Sequence, residues 1–178
     1  GMDVDIFDEK GNSIKNQKGE LVCKQPFPSM PLKFWNDDGN KKYKNAYFSK
    51  YENIWHHGDY AEVKDSGGFI IYGRSDTTLN PGGVRLGTAE IYSEVEKFDE
   101  ITEALVVGQS WDNDIRIILF IVLNKGYNLT NEIKNKIKKE IKVNASPRHV
   151  PSKIIPILEI PKTKNGKLVE LAAKQSVE

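Results

Sequence analysis

The stretch that decides how this chain is organised is residues 73–91, which read GRSDTTLNPGGVRLGTAEI. Glycine, proline, asparagine and threonine dominate its first part, and no apolar period is visible between Arg74 and Arg85. From Ile91 onward, apolar residues recur at helical spacing. We therefore place a domain boundary in this stretch, which divides the chain into residues 1–75 and 76–178.

Residues 1–75 carry the signals of short strands and turns. Strands are predicted at 4–7 and 20–23, and a hairpin formed by 54–63 and 69–72 brackets the turn Asp65-Ser66-Gly67-Gly68. Prolines at 26, 28 and 31 exclude regular structure in the segment that follows the second strand. The first part is therefore predicted to be mainly β.

Residues 76–178 mix helical and strand patterns. Thr88 is predicted to cap a helix that carries Ile91, Val95 and Phe98, and Thr130 a second helix with isoleucines on one face. Strands are predicted at 104–107, 115–123 and 154–160, and the loop 161–167 precedes a short helix from Leu168. The predicted fold class is α+β: a β-rich part, then a small α+β domain with a short sheet flanked by helices.

Composition favours a folded chain without a membrane span. Hydrophobic residues make up 38% of the 178 residues, enough for a packed core. The longest apolar run, 115–123, is well below the roughly 20 residues of a membrane-spanning helix. The single cysteine, Cys23, cannot form an internal disulfide, so a reducing, cytoplasmic setting is expected.

Charge is unevenly distributed along the chain. From Lys125 onward there are 12 Lys and Arg against 5 Asp and Glu, or +7, and the preceding residues have 14 against 20, or −6. A basic segment suits a partner that carries phosphates, but a solvated lysine face explains the charge equally well. Nucleic acid is disfavoured, because no aromatic residues for base stacking alternate with the lysines at 134–142.

Two segments contain side chains that suit a sugar or phosphate ligand. Asp59, which follows His57-Gly58, can accept hydrogen bonds from both hydroxyls of a ribose, although an aspartate after glycine more often caps a backbone turn. Arg74 and Arg85 flank paired glycines, and guanidinium groups bind phosphate or sugar oxygens in fixed geometry. A flexible linker with solvated charges is the alternative for the second segment.

Lys167 ends a basic loop just before a helix. A lysine in such a loop can reach a developing negative charge, or it can belong to an ordinary exposed loop. Metal and nucleophilic chemistry have less support, because His56, His57, His149 and Cys23 lack zinc-type spacing. Neither a serine nucleophile elbow nor a phosphate-binding P-loop occurs. No metal site is predicted.

The order of four motifs identifies a family resemblance. His-Gly-Asp at 57–59, Gly-Arg-Ser-Asp at 73–76, the run at 82–91 and Pro-Lys-Thr-Lys-Asn-Gly-Lys at 161–167 resemble the adenylate-forming superfamily of acyl-CoA synthetases. Within it, residues 23–36, 78–91 and 145–151 look most like acetoacetate-CoA ligases. The resemblance implies a ligase of lipid and fatty acid metabolism that converts acetoacetate, ATP and CoA into acetoacetyl-CoA, AMP and pyrophosphate.

This resemblance also implies roles for individual residues in adenylation. Asp59 would hold the ribose hydroxyls of the adenylate, with Arg74 as a second ribose contact. Arg85 would act near the adenylate phosphate, and Lys167 would stabilise charge between the carboxylate and the α-phosphate. Asp76 would be the hinge about which the small domain rotates between half-reactions.

For CoA, the resemblance places Gly83 beside the tunnel that admits the thiol arm. Lys138 stands on the helix where acetyl-CoA synthetases have an arginine for the CoA nucleotide. ATP or AMP and CoA are thus the expected substrates, with Mg²⁺ accompanying ATP in the complete enzyme. Residues 1–75 would be the last β subdomain of the adenylating domain, and residues 76–178 the carboxy-terminal lid domain.

The same resemblance implies that the chain is part of a longer enzyme. The phosphate loop, adenine-binding motif and acid pocket of the superfamily lie upstream of Met2, so the chain alone is expected to be inactive. The alternatives are a truncated nucleotide-binding, CoA-binding or regulatory module that pairs with a separate amino-terminal half, and a decaying gene product. Expected partners are small molecules and such a half, without nucleic acid or membrane. An exposed apolar seam on residues 1–75 predicts self-association.

Overall fold

The computed structural model describes residues 1–177. The chain forms two compact units: unit 1 is Gly1–Ser75, and unit 2 begins at Asp76. None of the helices in the described residues has the length and apolar character needed to span a membrane.

Unit 1 contains an antiparallel sheet of four strands in the order β1-β2-β3-β4. The strands are β1 Val4–Phe7, β2 Lys18–Cys23, β3 Trp55–Val63 and β4 Phe69–Arg74. The predicted hairpin is confirmed, since β3 and β4 pair across a turn closed by the bond from Lys64 N to Gly68 O, 2.9 Å. Gly67 adopts a φ of 82° in this turn, a conformation that few other residues tolerate.

The first part is mainly β as predicted, and it also contains a helix that was not predicted, α1 Lys41–Phe48. The carboxylate of Asp37 accepts hydrogen bonds from the amides of Lys42 and Tyr43, both at 2.8 Å, and so satisfies the first turn. Tyr43 is buried against the rings of Phe34 and Trp55. Packing of these rings stabilises a helix whose lysines give it little apolar periodicity.

Unit 2 contains a sheet of three strands in the order β5-β6-β7. Its elements are α2 Ala89–Val95, β5 Ile101–Trp111, β6 Asp114–Leu123, α3 Asn131–Asn144, β7 Lys153–Pro156 and α4 Glu170–Val177. β5 and β6 pair antiparallel through a two-residue turn, Asp112 and Asn113, with φ of 53° and 58°. Two left-handed residues match the twist of a tight hairpin. β7 joins β6 in parallel.

The sheet of unit 2 has a hydrophobic core on each face. Leu119 and Ile121 of β6 pack with Ile137 and Ile141 of α3, and the alternate residue Ile118 belongs to a second cluster that contacts α4. This alternation follows from the period of two along a strand. The prediction of a short sheet flanked by helices is therefore confirmed.

Three predicted details of unit 2 are wrong. The last strand ends at Pro156 rather than at 160: Ile157 N still donates to Ile121 O at 2.9 Å, but Leu158 is 98% exposed. Thr88 precedes α2, but its side chain makes no cap hydrogen bond because its backbone is already helical. α2 ends at Val95, so Phe98 is buried outside the helix. The cap predicted at Thr130 is confirmed by its bond from Ile133 N, 3.2 Å.

Candidate functional site

Asp59 and Arg74 lie opposite each other on β3 and β4. Nη1 of Arg74 is 3.4 Å from one carboxylate oxygen of Asp59, and Nε2 of His57 is 3.4 Å from the other. Asp59 therefore lies inside a strand and contacts side chains, rather than capping a turn. The Arg74 side chain is 53% exposed, and such ion pairs contribute at most about 1 kcal/mol to stability. The pair offers an acceptor and a donor to a ligand with little consequence for folding.

Gly58 permits this pairing. It adopts a φ of 83°, and a Cβ atom at this position would lie 2.8 Å from Nη2 of Arg74. A larger residue would displace the guanidinium group. The motif at 57–59 contained this glycine, but the sequence analysis gave it no role.

A buried carboxylate, Glu20, is a further feature that the sequence analysis missed. It is 1% exposed and binds Lys50 Nζ at 2.5 Å, His56 Nε2 at 2.9 Å and the hydroxyl of Ser75. A buried charge needs such partners, because the loss of hydration is otherwise uncompensated. The cluster fixes the last residue of unit 1. An acidic residue within an apolar strand was the signal available in the sequence.

Asp76, the predicted hinge, lies in the 3-10 turn Ser75–Thr77. Unit 1 ends and unit 2 begins between Ser75 and Asp76. In unit 2, Asp76 lines a cavity of about 60 Å³ together with Glu170 and Lys174 of α4. The junction is a suitable position for a hinge, and that role stays a prediction.

Arg85 belongs to a loop with a fixed base. The buried residues Leu79 and Leu86 exchange backbone hydrogen bonds of 2.9 and 2.7 Å across that base. Arg85 Nε donates to Thr78 Oγ1 at 3.0 Å, which orients the guanidinium group. These bonds disfavour the alternative of a flexible linker with solvated charges.

Gly83 lies at the tip of the same loop, in the 3-10 turn Pro81–Gly83. Gly82 and Gly83 have φ of 59° and 73°, and a Cβ atom on either would meet nothing within 4 Å. Backbone conformation, not lack of space, therefore requires glycine at both positions. Gly83 and Trp111, which is 57% exposed, line one open surface pocket.

Lys138, the other predicted CoA contact, lies on α3 and is partly exposed. No hydrogen bond or ion pair in residues 1–177 joins Lys138 to Gly83. A cation does lie at the Gly83 side of the unit: the guanidinium group of Arg116 is 3.6 Å from the centre of the Trp111 ring. This cation–π pair was not predictable from the sequence, since it forms only across the β5–β6 hairpin.

Lys167 ends a tight turn that begins at Thr163. Thr163 N donates to Lys167 O at 2.8 Å, and Lys167 N donates to Thr163 Oγ1 at 3.1 Å. Within residues 1–177 the ammonium group of Lys167 has no ion-pair partner, whereas Lys162 binds Glu103 at 2.5 Å. The backbone of this loop is held, and the charge at its end stays available.

Helix α4, which follows this turn, is anchored by Tyr92. The Tyr92 hydroxyl donates to Glu170 at 2.6 Å and accepts from Val106 N at 3.0 Å. Burial raises the pKa of Tyr92 above its ordinary value, and the nearby Glu170 charge raises it further. The hydroxyl thus remains a donor. This contact fixes the start of α4, three residues after Lys167.

His149 is the buried histidine of unit 2. Its Nδ1 lies 2.8 Å from Ser146 Oγ and its Nε2 lies 3.2 Å from Glu90, in the first turn of α2. The three side chains join the turn Pro147–His149 to the helix that follows the glycine loop. Ser146 Oγ also accepts from Arg148 N at 3.2 Å, so Ser146 caps the turn Pro147–His149.

Within residues 1–177, no three His, Cys, Asp or Glu side chains lie close enough together to hold a metal ion. Mg²⁺ that accompanies a nucleotide takes few ligands from the protein, because phosphate and water oxygens complete its coordination.

This chain is similar to known proteins over nearly its whole length. The model of the AMP-binding enzyme C-terminal domain matches residues 90–167. Acetoacetyl-coenzyme A synthetase of Rhizobium meliloti is 53% identical over 177 residues, 99% of this chain and 27% of that protein. Acetoacetyl-CoA synthetase of Mus musculus is 46% identical over 98% of this chain and 26% of its own length.

A solved structure gives the same result for the fold. Acetoacetyl-CoA synthetase from Streptomyces lividans superposes with a TM-score of 0.91 and 41% identity, over 98% of this chain and 26% of that one. This chain therefore spans about a quarter of the length of the relatives that it matches. The chain is homologous over nearly its whole length to acetoacetyl-CoA synthetases, and residues 90–167 match the AMP-binding enzyme C-terminal domain.

Proposed function

We propose that this chain supplies the ribose contact, the hinge and the adenylating lysine of an acetoacetate-CoA ligase. In the overall reaction, a carboxylate oxygen of acetoacetate attacks the α-phosphorus of ATP and pyrophosphate leaves. The thiol of CoA then attacks the acyl carbonyl and AMP leaves. The names of the relatives support acetoacetate as the acid, and AMP and CoA as ligands.

The observation that supports nucleotide binding is the pairing of the half-buried Asp59 carboxylate with the exposed Arg74 guanidinium group. A carboxylate can accept from two adjacent hydroxyls, and a guanidinium group beside it can donate to a ribose oxygen. The pair is partly open to solvent and adds little stability. Ribose binding would account for glycine at position 58, because a larger residue there would displace the guanidinium group of Arg74.

Lys167 supplies the charge for the first half-reaction in this proposal. Its ammonium group is unpaired in the described residues, and it would stabilise negative charge on the acid and the α-phosphate. Arg85, oriented by Thr78, would act near the same phosphate. Asp76 would be the pivot that lets Lys167 leave after adenylation.

The proposed CoA contacts are Gly83 and Lys138 of unit 2. Gly83 would line the path of the thiol arm, and its left-handed backbone leaves that surface without side-chain atoms. Lys138 would contact the CoA nucleotide from α3. Mg²⁺ would accompany ATP on residues other than these. We also place the enzyme in the cytoplasm, where its one buried cysteine, Cys23, stays reduced.

A chimera tests this function. The corresponding quarter of the Rhizobium meliloti relative is replaced by this chain, and formation of AMP and pyrophosphate from ATP, acetoacetate and CoA is measured. We expect turnover by the chimera and none by this chain alone. Asp59→Asn should lower kcat/KM about 100-fold, because a neutral amide is a weaker acceptor for two hydroxyls.

The matched control is Asp65→Asn, in the exposed turn of the same hairpin. It should leave kcat/KM unchanged. Equal activity of the two variants would contradict the ribose role of Asp59. An inactive chimera that is folded and binds ATP would contradict the assignment of this chain to the ligase.

A further inference from the structure

The carboxylate of Asp114 holds the tip of the glycine loop. Gly82 N donates to Oδ1 and Oδ2 of Asp114 at 2.8 and 3.1 Å. Asp114 is the first residue of β6 and directly follows the two-residue turn of the β5–β6 hairpin. Its Oδ1 also accepts from Ile115 N at 2.7 Å, which fixes the orientation of the carboxylate. A rigid hairpin thus contacts the loop at its most flexible point.

The loop tip needs such support. Two consecutive glycines in the left-handed region lose more conformational entropy on ordering than other residues do. The bonds from Gly83 N to Asn80 O, 3.2 Å, and from Val84 N to Pro81 O, 3.3 Å, are internal to the loop and long. The Leu79–Leu86 pair fixes only the base. A charged acceptor outside the loop is the contact that selects one conformation of the tip.

We propose that Asp114 is a positioning residue for CoA: as a carboxylate, it holds Gly82 and Gly83 in the conformation in which Gly83 can line the path of the thiol arm. This role rests on the proposed function only in taking CoA as the ligand that passes Gly83. The ordering of the loop does not depend on any ligand. Asp114 touches no reacting atom and acts through Gly82.

The charges around Asp114 fit this role. Asp112, Arg116 and Arg148 line the same surface pocket as Asp114. Arg116 is bound to Gln109 Oε1 at 2.7 Å and lies over the Trp111 ring, so its guanidinium group already has partners.

The amides of Ile115 and Gly82 hold the pKa of Asp114 below its ordinary value of 3.8. Because the pKa of Asp114 is lower in the folded chain than in the unfolded chain, its bond to Gly82 is fully present above pH 3.8. The bond is lost as the pH falls through the lower pKa of the folded chain. The Asp114–Gly82 bond is therefore intact at neutral pH, and acid titration is a way to break it.

The test uses the isolated 178-residue chain and amide NMR. In Asp114→Ala we expect hydrogen exchange of the Gly82 amide to become about tenfold faster, the usual effect of losing a bond to a charged acceptor. Asp114→Asn keeps one oxygen acceptor and should restore part of the protection. Asp112→Asn removes a neighbouring charge without touching Gly82 and should change nothing. In the wild type, the Gly82 resonance should titrate with a midpoint below 3.8.

CoA then separates the two proposals. In the wild type, CoA should shift the Gly83 resonance, and Asp114→Ala should weaken this response about tenfold. Unchanged exchange at Gly82 in Asp114→Ala would overturn the positioning role, whatever CoA does. Faster exchange at Gly82 with no CoA response in the wild type would overturn the CoA function and leave the loop anchor established.

Discussion

The two units are stabilised by different kinds of side chain. The core of unit 1 is divided into three small clusters, and the largest of them is built from aromatic rings around Trp55. Unit 2 has a larger, mainly aliphatic cluster between its sheet and the helices α2 and α3, and a smaller cluster on the opposite face of the sheet. Because each cluster of unit 1 contains fewer buried side chains, we expect a single core substitution to destabilise unit 1 more readily than unit 2.

Large apolar side chains are exposed on unit 1. Unit 1 exposes Leu32 and Trp35 almost completely, at 92% and 90%, and three consecutive residues of the edge strand β4, Phe69–Ile71, by 40–49%. Apolar residues on an edge strand favour contact with another protein surface. In the proposed ligase, the remaining three quarters of the enzyme would cover this face. The self-association expected of the isolated chain stays a prediction.

The largest expected effect is that of Trp55→Ala in unit 1. Trp55 stacks on Tyr47 at 3.7 Å between ring centres and contacts Phe27 at 5.3 Å. Removing a buried tryptophan should lower the free energy of unfolding by about 4 kcal/mol. Urea unfolding followed by amide NMR should show the signals of unit 1 lost first, while those of unit 2 remain.

Trp35→Ala is the matched control, because the same side chain is removed from a solvent-exposed position. It should leave the midpoint of unfolding nearly unchanged. Simultaneous loss of the signals of both units in Trp55→Ala would mean that the two cores are not independent, and the comparison would fail.

The second effect concerns the buried carboxylate Glu62 in β3. It is 5% exposed and accepts from Lys64 Nζ at 2.5 Å and from the Tyr72 hydroxyl at 2.7 Å. The bond from Lys64, which has the larger effect, and the bond from Tyr72 hold the pKa of Glu62 below its ordinary value of 4.5. Tyr72→Phe should raise the pKa of Glu62 and destabilise unit 1 at pH 7 by about 1.5 kcal/mol.

The destabilisation caused by Tyr72→Phe should depend on pH in a defined direction. A depressed carboxyl pKa contributes stability that is complete above 4.5 and is lost as the pH falls through the folded value. The difference between wild type and Tyr72→Phe should therefore shrink as the pH falls below 4.5. Tyr127→Phe, at a half-exposed tyrosine of unit 2, is the control. A difference that is constant between pH 7 and 3 would contradict the role of Glu62.

Local pattern predicted the sheet of unit 2 better than the helix of unit 1. The apolar runs at 104–107 and 115–123 are both within observed strands, because burial on two faces requires continuous apolar residues. α1 was missed because its apolar residues are aromatic rings that pack on Trp55, which belongs to strand β3. The carboxylate of Asp37, which satisfies its first turn, comes before the residue at the usual cap position, Asn40.

Local sequence pattern also failed to predict the contacts within the candidate site. Asp59 and Arg74 were predicted as separate ribose contacts, and their pairing depends on the register of β3 and β4. The partners of Glu20 come from three segments, Lys50, His56 and Ser75. Contacts across such sequence distances are set by tertiary structure, so composition and spacing cannot reveal them. The roles assigned by resemblance remain predictions.

The smallest expected effect compares two threonines before two helices of unit 2. Thr130 has an extended backbone and caps α3 through Ile133 N, whereas Thr88 has a helical backbone and makes no cap hydrogen bond. Thr130→Val should therefore lower the free energy of unfolding by about 1 kcal/mol. Thr88→Val should cost much less, because no amide of α2 loses an acceptor.

Urea unfolding of unit 2 and hydrogen exchange at Ile133 measure this difference. Thr130→Ser retains the hydroxyl and should restore the protection of the Ile133 amide that valine removes. Equal destabilisation by valine at both positions would show that residue type, and not the cap bond, determines the stability of these helix starts. The two threonines occupy the same position in the sequence pattern but differ in backbone conformation and in burial, since Thr88 is buried and Thr130 is exposed. Hydrogen exchange at Ile133 therefore isolates the contribution of the cap bond itself, which the pattern alone could not predict.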